Sequence, residues 1–339
     1  MSRRSQLLRY GASRLLLGPV MLWLIATLVF LLLRLAPGDP IDALLGIRAP
    51  EEARAALRQQ LGLDLPLLTQ YGQFLVGLLR GDLGASLTNQ TPVAQVISQS
   101  LPASLELGVC ALLLAAVLGL AVGFSGIARP DGKLDLAGRL YGIGTYALPP
   151  FWAAMVVQLV FAVWLGWLPV GGRFPVTLLP PTGSGFYLFD SLRAGNWQQF
   201  SGTVRHLVLP ASTLGVLLSG IFDNALRLNL RRALRSDYVE AARSRGLSET
   251  RVVLRHALPN ALLPVLTISG ITVASLIGGA LLIEVTYSWP GIAFRLQEAI
   301  AQRDYPLVQG IVVVVAALVV MVSVVVDLLV ALLDPRIRF

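Results

Sequence analysis

The chain reads as an all-α polytopic membrane protein with six transmembrane helices, and three observations predict this. Its 339 residues are 55% hydrophobic and 14% charged, with a mean hydropathy of +0.71; a soluble domain of that size is far more polar. Six apolar segments meet or approach the roughly 20 residues that a helix needs to cross about 30 Å of hydrocarbon. The runs are continuous, as helices satisfying their own backbone groups require, and lack the ~10-residue alternation of a membrane barrel.

Residues 1–14 form a basic N-terminus with Arg3, Arg4, Arg9 and Arg14. The first span, 15–35, exceeds the 7–15 apolar residues of a cleavable signal and lacks a small-x-small site after it, so it is expected to be retained. Residues 36–104 are polar enough to lie outside the bilayer. Pro37-Gly38-Asp39-Pro40 reads as the turn that ends the first span. Pro50-Glu51-Glu52 opens a helix running to about Leu61 and stopping at Gly62, because Pro suits the first turn and acids favour the dipole there. A second helix, Pro66 to about Arg80, gathers Leu67, Leu68, Tyr71, Phe74, Leu75, Leu78 and Leu79 on one broad face. After a turn at Gly81–Ser86, a third short helix is expected from Pro92 towards Ser100.

The second span is 105–127, with Glu106 at its edge, followed by an inner loop at 128–139. The third span is 140–168, long enough to tilt, and 169–205 reads as an irregular outer cap rich in Gly, Pro and aromatics. The fourth, 206–227, carries Asp223 and leads into a polar inner segment, 228–260. The fifth is 261–286, with Glu284 near its outer end; 287–306 is an outer loop. The sixth is 307–333, with Asp327 in its inner third, and 334–339 is the inner C-terminus. With both termini inside, 17 of the 27 Lys and Arg residues fall on the inner side, although the outer segments are longer. The net charge of +8 is then accounted for by topology and anionic lipid, and calls for no nucleic acid.

No catalytic residue is expected. The single cysteine, Cys110, lies inside the second span and cannot form an intrachain disulfide. His206 and His256 are far apart, and no metal-ligand spacing or Ser/His/Asp set is present. A phosphate-binding loop needs Gly, four residues, Gly-Lys and Ser or Thr. The one lysine, Lys133, follows Gly132 but precedes Leu134, with Ile127 where the first Gly belongs. The chain therefore lacks the standard nucleotide site, is expected to hold no cofactor of its own, and must take its free energy from elsewhere.

Asp237–Arg245 has helix-forming composition, with Tyr238, Ala241 and Ala242 at i, i+3 and i+4. Gly246 suits the left-handed residue that ends a helix, and Ser248 can cap a second short one through Leu258, until Pro259. Two short helices with small contact residues make a knob that can seat in a cleft. Glu240 can order the turn or pair with a basic group. An ordinary polar loop has the same composition.

Glu240-Ala241-Ala242, three residues, Gly246, nine residues, a position usually Ile, one more residue and Leu258-Pro259 resembles the cytoplasmic loop signature of ABC importer permeases, with His256 at the Ile position. Gly81-Asp82-Leu83-Gly84, Leu105-Glu106-Leu107-Gly108, Ser288-Trp289-Pro290-Gly291, Arg303-Asp304-Tyr305-Pro306 and Asp334-Pro335-Arg336 are similar to the dipeptide/oligopeptide/nickel branch, closest to its dipeptide permease B subunits. The resemblance implies the type I importer permease fold in a bacterial inner membrane, with the outer segments periplasmic. It implies a second homologous permease subunit, two cytoplasmic ATP-binding subunits that hold ATP and Mg, and an extracytoplasmic substrate-binding protein. It also implies that Tyr238, Glu240, Ala241, Ala242, Gly246, Leu258 and Pro259 dock on an ATPase.

Asp223, Glu284 and Asp327 have two readings: lining a polar path for peptide termini, or joining helices. Asp223 lies one turn before Arg227, so that pair can neutralise itself. Gly119-xxx-Gly123 and Gly138-xxx-Gly142 permit tight helix contacts. Peptides are the expected cargo, with nickel chelates or glutathione as alternatives within the class. An ion-coupled transporter would show inverted repeats, and a membrane enzyme of envelope metabolism a catalytic cluster; neither is evident.

Overall fold

The computed structural model describes residues 3–35, 38–46, 49–126 and 132–333. Residues 128–131 of the expected inner loop and the expected C-terminus 334–339 lie outside the described residues. In chain order the helices are α1 (Arg3–Leu35), α2 (Pro40–Leu45), α3 (Glu51–Gln60), α4 (Leu67–Leu79), α5 (Val93–Ser125), α6 (Lys133–Ala147), α7 (Pro150–Gln158), α8 (Tyr187–Arg193), α9 (Trp197–Leu234), α10 (Asp237–Ser244), α11 (Glu249–Val252), α12 (Leu258–Thr286), α13 (Ile292–Ala301) and α14 (Tyr305–Leu333). Two π-helical turns, Leu159–Trp164 and Val253–Ala257, follow α7 and α11. Among the described residues five helices are long and apolar enough to cross a membrane, and the bent pair α6–α7 makes up to a sixth.

The elements depart from the sequence reading at identifiable residues. The third span begins earlier, at Lys133, and is bent by 102° between α6 and α7. Leu148 precedes Pro149 and Pro149 precedes Pro150, so both are driven to extended backbone (ψ 124° and 128°), which stops α6. The expected short helix after Pro92 is the first part of α5, which runs on through Pro102. The fourth span is longer at both ends: the Asn196 side chain accepts from Gln199 N–H and starts α9 early, and helical residues continue to Leu234. The outer cap 169–205 contains α8, and the outer loop 287–306 contains α13. Helix α13 follows Gly291, buries Ile292, Ala293 and Ala299, and leaves Arg295 and Glu298 paired at 2.7 Å.

The chain divides into two compact units, one built on Leu105–Trp289 and α14 from Met321, the other on Ser13–Ser104 and Pro290–Val320. In the second unit Val29, Val93, Ile97, Ile292, Ala299, Leu307, Val308 and Ile311 form the core. Helix α4 packs on α1: Tyr71 and Phe74 lie 5.3 and 5.6 Å from the Phe30 ring, and the Tyr71 hydroxyl meets Thr27 at 2.6 Å. Asp304 is fully buried and accepts from Ser86 Oγ and Thr88 N–H, joining the 81–86 turn to the 303–306 segment. Asp39 pairs with Arg58 and Asp42 with Arg54, tying α2 to α3.

In the first unit, Phe222, Leu226 and Leu230 of α9, Val239 and Ala242 of α10, Val252, Ala257, and Ala261 and Val265 of α12 share one core. At the other end of that unit Tyr287 and Trp289 are almost wholly buried. The Tyr287 hydroxyl meets Thr213 Oγ1 at 3.0 Å and donates to Ala154 O, while Tyr287 O accepts from Gly172 N–H at 2.8 Å.

Candidate functional site

The segment after α9 is built from its local sequence. Helix α10 starts after Ser236 and ends at Arg245, where Gly246 takes φ +74°, a left-handed conformation that glycine reaches without strain. Ser248 stands at the start of α11, but its side chain makes no capping hydrogen bond. The helix does not stop at Pro259: helical backbone runs on through the π turn Val253–Ala257, which includes His256, into α12, with Pro259 as its second residue. Arg243 closes the knob by a forked contact to Glu249 (2.7 and 3.2 Å); the acid that pairs across the turn is thus Glu249, not Glu240. That hydrogen bond is the largest cause raising the Arg243 pKa.

The knob has two faces. Tyr238, Glu240, Ala241, Gly246 and Pro259 are exposed. Ala242 is buried and Leu258 is half-buried, both against the core shared with α9 and α12. Tyr238, Ala241 and Ala242 therefore do not form one outward face: Val239 and Ala242, three residues apart, turn inward together.

Seven residues before the end of α9, Arg227 anchors a buried charge cluster. Its Nη2 donates to Asp223 Oδ1 at 2.9 Å and its Nη1 to Asp135 Oδ1 on α6. Asp135 also accepts from Arg231 (2.8 and 2.9 Å) and from Arg139 (3.1 Å through Nε). Asp135 and Asp223 are completely buried and Arg227 is 6% exposed. Three cations thus meet two carboxylates, so every charge of the cluster has an opposite partner, while Asp223 Oδ2 and Arg227 Nε are left without a hydrogen-bond partner among the described residues. Close approach makes it possible. A Cβ on Gly123 would lie 3.0 Å from Asp223 O, and one on Gly142 would lie 2.8 Å from Asp223 Oδ2. A Cβ on Gly138 or Gly126 would run into the Arg227 guanidinium. Both glycine pairs singled out in the sequence therefore cradle the Ser219–Arg227 stretch of α9. Asp135 was missed by sequence reasoning; its one local signal is Arg139 at i+4.

The three membrane acids do not come together. Val326, beside Asp327, packs against Gly270 in mid α12. Glu284 is fully buried and 14 residues further along α12, about 21 Å at 1.5 Å per residue. Asp223 sits instead beside α5 and α6. At the α5 end of this unit a second buried pair was also missed: Arg173 donates to Glu106 at 2.7 Å and to Gly185 O, and stacks 3.8 Å from the Tyr187 ring, while Glu106 accepts from Leu188 N–H. Through the same Gly185, Asp190 is linked to this pair: it accepts from the backbone and hydroxyl of Ser184 and from Gly185 N–H (2.8–3.0 Å). Burial pushes the Asp190 carboxyl up, but these donors and Arg193 outweigh it, so its pKa lies below the ordinary value.

Residues 91–339 match the family described as binding-protein-dependent transport system inner membrane component, and residues 7–108 match its N-terminal companion. The sequence is 40% identical to the di/tripeptide transport system permease protein DppB of Pseudomonas aeruginosa over 93% of this chain and 94% of that one. It is 36% identical to the dipeptide transport system permease protein DppB of Alkalihalophilus pseudofirmus over 98% and 100%. It is 33% identical to the glutathione transport system permease protein GsiC of Salmonella choleraesuis, again over 98% and 100%.

Proposed function

The chain belongs to the binding-protein-dependent transport system inner membrane components, and from that membership and the names of its relatives we propose that it passes di- and tripeptides and is driven through the 228–260 knob. It is the permease subunit of an ABC importer, a multi-pass inner-membrane protein working with an ATPase and a substrate-binding protein. The proposed assembly pairs it with a second homologous permease and two ATP-binding subunits, which hold the ATP and Mg. Its termini face the cytoplasm, supported by the 17 basic residues on that side.

One observation carries the coupling role. Val239, Ala242, Val252 and Ala257 of the knob share a core with Phe222, Leu226, Ala261 and Val265. Force on the exposed residues Tyr238, Glu240, Ala241 and Gly246 therefore reaches α9 and α12 through close-packed side chains, which transmit strain rather than absorb it. Leu258 and Pro259 set the junction with α12. Closure of the ATPase pair moves these helices and exposes the path to alternate sides; Asp223, Glu284 and Asp327 remain candidates for its polar lining.

The peptide reading rests on the names of the relatives at 36–40% identity, and glutathione, itself a tripeptide, is the second reading because of the relative at 33%. Vesicles holding the whole importer, fed by its binding protein loaded with labelled dipeptide, glutathione or nickel chelate, test it. ATP-dependent dipeptide uptake is expected; uptake of the chelate alone would overturn the peptide reading.

A further inference from the structure

A cavity of about 240 Å³ lies within the second unit, between the last turn of α1, α4, the 82–84 turn and the start of α14. Arg34, Gln70, Gln73, Asp82 and Gln309 stand in its wall. Two nitrogens of that wall are shielded and have no partner: Arg34 Nη1 and Gln309 Nε2. Gln309 is 6% exposed. A shielded donor left unmet is strongly unfavourable, so two on one wall mark the place of an acceptor.

The rest of Arg34 is committed. Its Nε and Nη2 both reach Gln70 Oε1 (3.3 and 3.2 Å), and its guanidinium lies 4.4 Å from the Phe30 ring and 5.1 Å from the Tyr305 ring. The plane of the fork is thereby fixed. The acid of the wall, Asp82, accepts from Gly84 N–H at 2.9 Å, and Arg80 lines an adjoining hollow that shares Gln73, Gly77 and Asp82. A fixed cationic donor and an amide donor, with a second arginine beside them, select an anion with several acceptor oxygens.

Position identifies its source. Arg34 is the next-to-last residue of the Leu16–Leu35 span, which places the cavity at head-group depth. Beside it, Leu31, Leu32 and Leu35 of α1 and Leu68 and Leu79 of α4 are exposed, the last two at 85% and 88%. Those surfaces suit acyl chains. We propose that this cavity binds the phosphate of a phospholipid in the leaflet that α1 meets at its C-terminal end, with Arg34 and Gln309 as the donors and α1 and α4 against the chains.

The test is thermal melting of the full chain, stripped of lipid in neutral detergent. The additions are phosphatidylglycerol, phosphatidylcholine, diacylglycerol with the same chains, and glycerol phosphate. Both phospholipids should raise the melting temperature, since a ligand of the folded state stabilises it. Diacylglycerol and glycerol phosphate should each give less than half that shift. Gln309→Leu should lose at least half of the phospholipid shift; if that variant does not fold, Arg34→Gln, which removes the other donor, should do the same. A full shift from diacylglycerol, a full shift from glycerol phosphate, or variants responding like the parent would each overturn the proposal.

Discussion

Arg227 and Asp135 stand 92 residues apart in sequence and are bonded in the interior, while the other guanidinium nitrogen of Arg227 holds Asp223. One side chain thus binds α6 to α9, within two turns of the point where α9 gives way to the knob. The same turn of α9 is enclosed by glycines of α5 and α6.

Arg227→Met should cost about 3–5 kcal/mol, because it strands Asp223 in the interior and removes one of the cations around Asp135. Asp223→Leu/Arg227→Met should recover a large part of that loss, since an apolar pair carries no desolvation penalty. Melting of the purified single and double variants measures both; equal losses would show that the pair does not act as a unit.

Gly123→Ala places a Cβ 3.0 Å from the Asp223 carbonyl oxygen. The backbone there cannot yield as a flexible side chain would, so a loss of about 1–3 kcal/mol is expected. Gly108→Ala on the same helix meets nothing within 4 Å. It should be neutral or stabilising by up to about 1 kcal/mol, as alanine is the better helix former. Parallel melting curves separate the two.

Gly246 has open space around it, so its constraint is the positive φ alone. Gly246→Ala should cost about 1–2 kcal/mol of local strain, and Gly246→Asn less, because Asn enters this region more readily. Uptake per ATP hydrolysed should fall in the same order. Equal effects of Ala and Asn would point to crowding by a partner rather than strain.

Asp190 is held below its ordinary pKa by Ser184, Gly185 and Arg193 acting against burial. The sign follows: a carboxyl whose folded value is depressed stabilises the fold above its unfolded value, near 3.9, and loses that contribution as pH falls through the folded value. Asp190→Asn should flatten the stability profile in that acid window and leave its shape at neutral pH unchanged. Melting temperature against pH, parent beside variant, is the measurement.

The fold class was legible because six apolar runs of helical length leave few alternatives, and the turn at Gly246 because glycine marks it. The break at Leu148–Pro149 was written in the two prolines, yet hydropathy averages across it. Helix α13 was missed because its apolar face is only ten residues long and lies between polar motifs. The charge cluster was half visible. Asp223 and Arg227 are one turn apart, but Asp135 joins them only through tertiary packing. The inward turn of Ala242 likewise depends on α9 and α12, which no local pattern discloses.

In the proposed coupling, the exposed face of the knob receives work from the partner ATPase. Glu240→Lys changes an exposed residue outside the shared core. The measurement is ATP hydrolysed per labelled dipeptide imported by the reconstituted importer, parent against variant. An unchanged melting temperature and assembly in the membrane, continued basal hydrolysis, and at least about a tenfold fall in uptake per ATP, roughly 1.4 kcal/mol of lost coupling, are expected. Normal substrate-stimulated hydrolysis and normal uptake in that variant would contradict the proposed coupling.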